Sequence, residues 1–132
     1  MIVLVDTSAF FALVDDRDPN HGRALEAVER LTATEDLVTH EYVVVETISL
    51  VQRRLGMAAL RRFVDDLLPI VDVAWVEPDT HAEAREALLA AGSRSVSLVD
   101  RVSFLLMRRR GIGTAFAFDD DFAREGFRTI PA

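Results

Sequence analysis

An α/β sandwich, with a mostly parallel central sheet and helices on both faces, is the fold the sequence predicts, and three observations predict it. Short uninterrupted apolar runs recur along the chain, beginning with Ile-Val-Leu-Val after Met1, and runs of this kind mark strands buried on both faces. Longer stretches with apolar residues at helical spacing lie between them. Glycine or proline closes most of those stretches, the punctuation expected where helices give way to strands.

Taken in order, residues 2–6 read as a strand ending on an acid, and a helix follows from near Ala9 with Thr7 or Ser8 as its cap. A second helix is expected over 20–31, with Ala24, Leu25, Val28 and Leu31 on its apolar side. Residues 37–39 form a short strand, after which Thr39 can cap a helix over 41–55 that Gly56 stops. A helix over 58–68 ends at Pro69, and a strand follows over 70–76. Gly92 closes a helix over 79–91, and Gly111 closes another over 98–110. Strands over 114–118 and 127–130 complete the sheet. Trp75 and the eight phenylalanines, Phe10 and Phe11 among them, are assigned to the core.

Composition bounds what such a chain does. At 132 residues and 50% hydrophobic it suits one domain over 1–132, without linker, repeat or low-complexity tract. The opening MIVLVD resembles no signal peptide and no apolar run reaches membrane-spanning length. Cysteine is absent, which excludes thiol chemistry and suits a reducing cytoplasm. The net charge of −7 argues against coating nucleic acid by electrostatics alone. Every one of the 15 basic residues is arginine. Clusters at Arg53-Arg54, Arg61-Arg62 and Arg108-Arg109-Arg110 fit either phosphate contacts or solvated helix ends.

The acids carry the chemistry. Asp6 and Asp119 each follow a strand, at the sheet edge where α/β proteins bind ligands. Glu46 lies within YVVVETISLV, apolar nearly all the way round, so its charge needs a cation, hydrogen bonds or a metal. Arg53 is one candidate partner. Asp100 stands in SLVDRVSF, where Ser97 and Asp100 also match a capping box. Asp119, Asp120 and Asp121 run consecutively, more acid than a helix cap requires; Asp120 is assigned to solvent. His21, His40 and His81 lack ligand spacing and are assigned to the surface.

Four of these motifs, VDTSAF, VVVETISL, SLVDRVSF and FAFDDDF, stand in an order and setting that resembles the PIN domain, and within it the VapC-type toxin ribonucleases. The resemblance spans essentially the whole chain. It implies a metal-dependent endoribonuclease with Asp6, Glu46, Asp100 and Asp119 as catalytic carboxylates and metal ligands, and Asp121 as a further ligand or water-holder. Thr7 and Ser8 approach the site in that family. One departure is Ala117, where the family often has Thr or Ser. The resemblance also implies an RNA substrate, a small VapB-type antitoxin and a homodimer; Ile48, Val51, Leu55, Leu60, Phe63 and Leu67 are expected to supply interface.

Chemistry gives the cluster its own rationale. Crowded carboxylates repel unless a cation neutralises them, and Mg²⁺ or Mn²⁺ suits an all-oxygen donor set. A phospho-accepting receiver domain also gathers acids at strand ends, but it needs a lysine and this chain has none. The alternative left open is a catalytically silent PIN-like module that binds RNA or protein.

Overall fold

A computed structural model describes residues 1–132. Five strands form one sheet in the order β3-β2-β1-β4-β5: β1 Ile2–Val5, β2 Asp36–His40, β3 Asp72–Ala74, β4 Thr114–Phe116 and β5 Arg128–Ile130. Every neighbouring pair is parallel. The chain builds outward from β1 to β2 and β3, then returns to the other side of β1 for β4 and β5. That reversal puts a topological switch point between β1 and β4, where the carboxyl ends of the strands open a crevice.

The connecting helices are α1 Thr7–Val14, α2 His21–Thr34, α3 Glu41–Leu55, α4 Met57–Arg62, α5 Pro78–Ala91, α6 Leu98–Arg110 and α7 Asp121–Arg124. Strand alternation sorts the core into two layers. Val3, Val5, Leu37, Val71 and Phe116 join residues of α1 to α4 on one face. Leu4, Val38, Ala74 and Ala115 join Phe104, Leu106, Met107 and Phe122 on the other. Each such large side chain removed from water contributes roughly 1.5–3 kcal/mol. The three inner strands β2, β1 and β4 are therefore covered on both sides, as their uninterrupted apolar runs require, while the edge strands β3 and β5 stay partly exposed.

Helix 98–110 forms with the expected bounds, its start fixed by reciprocal Ser97 and Asp100 bonds and its end by Gly111 in the left-handed region at φ 68°. Gly92 ends α5 in the same way at φ 61°. Other expectations need correction. Asp6, not Thr7 or Ser8, caps α1. His40, not Thr39, caps α3, because Thr39 turns its hydroxyl to the Val5 carbonyl instead. The helix expected to end at Pro69 stops earlier at Arg62, continues as a π turn over Phe63–Leu67 and takes Pro69 into a 3₁₀ turn over Leu68–Ile70. The strands over 70–76 and 114–118 shorten to Asp72–Ala74 and Thr114–Phe116.

Burial corrects four further assignments. Trp75 is 74% exposed, since it follows an edge strand with nothing beyond it. His40 is fully buried at the end of β2, while His21 and His81 are half-buried. Leu25 faces solvent and Ala27 takes its place in the core. Val51, Leu60 and Phe63 are core residues, and Ile48, Leu55 and Leu67 pack against them, so the apolar surface left on this segment is Val45, Met57 and Val64. No helix is long and apolar enough to cross a membrane.

Candidate active site

Asp6 leaves β1 at the switch point and is buried, its amide donating to the Phe116 carbonyl of β4 at 3.0 Å. Because it also caps α1, its Oδ2 accepts from the Ser8 amide at 3.1 Å and from Ser8 Oγ at 2.7 Å. Ser8 Oγ accepts in turn from the Phe118 amide at 3.0 Å, which ties the residue before Asp119 to the start of α1. The strand end at Ala117 lacks a hydroxyl of its own, and Ser8 holds the neighbouring amide across the crevice. Asp119 Oδ1 accepts from the Asp121 amide at 3.2 Å, and Asp100 Oδ2 from the Ser97 amide at 3.2 Å.

These contacts bring carboxylate oxygens of Asp6, Asp100 and Asp119 within 4.8 Å of one another. Each residue anchors one oxygen to an amide or hydroxyl, and Asp6 and Asp119 also hydrogen-bond to each other through their side chains. No arginine forms an ion pair with any of the three. Asp100 is thus both a cap and a member of the cluster.

Burial and like charge act together here. Asp6 is pushed up to about 6, mainly by burial and further by the charge of Asp100, with Ser8 opposing. Asp100 also rises to about 6, through burial and then the charges of Asp119 and Asp121, against the Ser97 bonds. Asp119 rises to about 7, through burial and the facing Asp6. Acids held this close to neutrality want a cation. The donor set fits a hard divalent ion: all oxygen, three carboxylates with one oxygen from each within 4.8 Å of the others.

Glu46 stands beside the three rather than among them. Its Oε1 accepts from Thr7 Oγ1 at 2.5 Å, the residue after Asp6, and it has no ion pair with Arg53 or any other arginine. Thr47 reinforces the arrangement, lying 3.5 Å from Thr7 Oγ1 while bonded to the Val43 carbonyl at 2.7 Å. Asp121 also stands outside the three and faces Arg124 at 3.4 Å. Asp120 is exposed, as expected. Sequence reasoning missed Thr47 and the link from Ser8 to Phe118. Position next to Glu46 was a signal for the first; nothing local signals the second, because its partners are 110 residues apart.

Residues 3–127 match the family model of the PIN domain. The chain is 38% identical over 129 residues to the 23S rRNA-specific endonuclease VapC20 of Mycobacterium tuberculosis, spanning 96% of this chain and 95% of that protein. The crystal structure of Mycobacterium tuberculosis VapC20, a Sarcin-Ricin loop cleaving toxin, superposes with a TM-score of 0.81 at 37% identity, over 96% of each chain. VapBC2 from Rickettsia felis, bound to a DNA fragment from its promoter, superposes with a TM-score of 0.73 over 98% of this chain and 97% of that one. At 14% identity that second likeness is one of fold.

Proposed function

The chain belongs to the PIN-domain family, among its VapC-type members, and from that premise we propose that it is a divalent-metal-dependent endoribonuclease, the toxin of a toxin–antitoxin pair. The observation that carries the reading is the cluster itself: three carboxylates within 4.8 Å at the switch point, with no internal cation. Asp6, Asp100 and Asp119 hold Mg²⁺ or Mn²⁺, with Glu46 and Asp121 completing the acidic wall. When bound, such an ion supplies charge neutralisation at the phosphodiester and an acidified water for hydrolysis.

The protein's own residues do the rest. Ser8 and Ser97 each hold one oxygen of Asp6 and of Asp100, which limits the rotamers those acids adopt. Thr7 orients Glu46 by its hydroxyl. The likeness to VapC20 supports an RNA substrate; a small VapB-type antitoxin that covers the site and a homodimer are what membership of the family implies, and Val45, Met57 and Val64 offer apolar surface for the second.

Cleavage of a structured RNA pool by antitoxin-free protein, with Mn²⁺ and with EDTA, tests the reading. Wild type is expected to cut only with the ion, and Asp6→Asn and Asp100→Asn to lose cutting while remaining folded. Cutting that persists in EDTA or in Asp100→Asn overturns it, and reduces Asp100 to a cap.

A further inference from the structure

Thr39 and His40 sit where the acid-bearing elements meet. Both side chains are fully buried and polar, so each needs a partner. Thr39 Oγ1 donates to the carbonyl of Val5, one residue before Asp6, at 2.8 Å. His40 Nδ1 accepts from the Val43 amide at 3.4 Å in the first turn of α3, the helix that carries Glu46. His40 Nε2 lies 2.8 Å from Ser103 Oγ on α6, the helix that carries Asp100. The tautomer follows from these partners. A nitrogen that accepts from an amide carries no proton, so the proton is on Nε2 and goes to Ser103 Oγ. Ser103 Oγ donates onward to the Val99 carbonyl at 3.1 Å, in the same helical turn as Asp100. Each hydrogen in the chain thus has one acceptor.

Capping alone does not account for a histidine at position 40, since serine, threonine, asparagine and aspartate are the preferred caps and are smaller. What imidazole adds is a second nitrogen on the far side of a rigid ring. We propose that His40 is a positioning residue for the carboxylate site, a strut whose bond to Ser103 sets the distance between Asp100 and the corner that carries Asp6 and Glu46. This inference rests on the metal-nuclease reading. α3 packs in the core layer on one face of the sheet and most of α6 in the layer on the other, with Val99 the one residue of α6 that packs against the α3 layer, so apolar packing between the two helices is sparse and fixes their relative height only loosely. A direct polar link between them is the cheapest way to fix it. Displacement of a catalytic group by about 1 Å can cost about 100-fold in rate, and supports behind metal ligands are typically worth about 10–100-fold in affinity or activity.

Two variants cut the same bond from opposite ends. His40→Asn keeps an acceptor for the Val43 amide but loses the reach to Ser103, whereas Ser103→Ala keeps the ring and removes its acceptor. Mn²⁺ affinity is read by titration calorimetry, and kcat and KM are read separately on RNA. Each variant is expected to weaken Mn²⁺ binding and lower kcat by about tenfold with KM unchanged, and the double variant to be no worse than the poorer single, because one bond is lost once. Folded variants with lowered melting temperatures but unaltered Mn²⁺ affinity and kcat overturn the proposal, as do additive losses. Ser103→Ala is the milder cut and decides the matter if His40→Asn does not fold. A parent protein that binds Mn²⁺ but cuts no RNA overturns the nuclease reading alone, because calorimetry still reads the strut; a parent that binds no ion overturns both.

Discussion

The two ends of α6 treat acids in opposite ways. At the C-terminal end Arg108 meets Glu125 at 2.7 Å, and Arg109 contacts Glu83 and lies 3.8 Å from Asp79. At the N-terminal end Asp100 joins Asp6 and Asp119 with no arginine paired to any of them. Arginine is not scarce, with 15 in the chain. Pairing is thus present at the exposed end and absent at the end where Asp6 is buried and Asp100 and Asp119 are half-buried, the reverse of what stability alone favours. An unfavourable arrangement kept at one place, and avoided elsewhere on the same helix, points to a cation supplied from outside.

The largest effect should come from breaking the unpaired end. Asp119→Asn removes a proposed ligand, and cleavage with Mn²⁺ should fall by more than the roughly 100-fold typical of a lost outer support. The same change relieves burial of a charge facing Asp6, so the melting temperature in EDTA should rise. Thermal melts with and without Mn²⁺ check both halves. A lower melting temperature in EDTA would mean that Asp119 is a structural acid and that the contrast between the helix ends carries no functional meaning.

A smaller effect sharpens the comparison through pH. An unfolded aspartate titrates near 3.9, whereas Asp6 and Asp100 titrate at about 6 and Asp119 at about 7 in the folded chain. Between about pH 4 and 7 the folded state therefore binds more protons than the unfolded one, and stability falls as pH rises through that window. In EDTA, wild type should melt higher near pH 5.5 than near pH 8, relative to Asp6→Asn over the same range. Saturating Mg²⁺ should remove the loss near pH 8. A difference between wild type and variant that does not change with pH would show that neither burial nor the neighbouring acids hold Asp6 above its unfolded value.

Much of this end of the molecule is legible in the chain. Strand runs ending on Asp6 and leading to Asp119 place two acids on one rim without any contact being known, and only the family resemblance adds Asp100 and Glu46 to them. Which of them converge is not legible, because Glu46 is drawn to Thr7 and Asp121 towards Arg124 by tertiary geometry. Local patterns also misplace the cap of α3. Thr39 and His40 are adjacent and both able, and only the position of the Val5 carbonyl and Ser103 decides between them. Exposure of Trp75 is equally a matter of sheet order, since a strand's edge position is not written in its own residues.

The smallest expected effect tests the paired end. Arg109 is 40% exposed, and its partners Asp79 and Glu83 are more so, so solvent screening leaves the network worth less than about 1 kcal/mol. Arg109→Gln should lower the denaturant midpoint slightly, less so at high salt, and leave Mn²⁺ affinity and RNA cleavage unchanged. Arg109 sits nine residues from Asp100, about 13 Å along the helix axis, beyond the screening length of about 8 Å at physiological salt. Its charge therefore does little to steady the acids at the other end. A several-fold change in Mn²⁺ affinity in this variant would mean that α6 transmits strain along its length, and the two ends would have to be treated as one site.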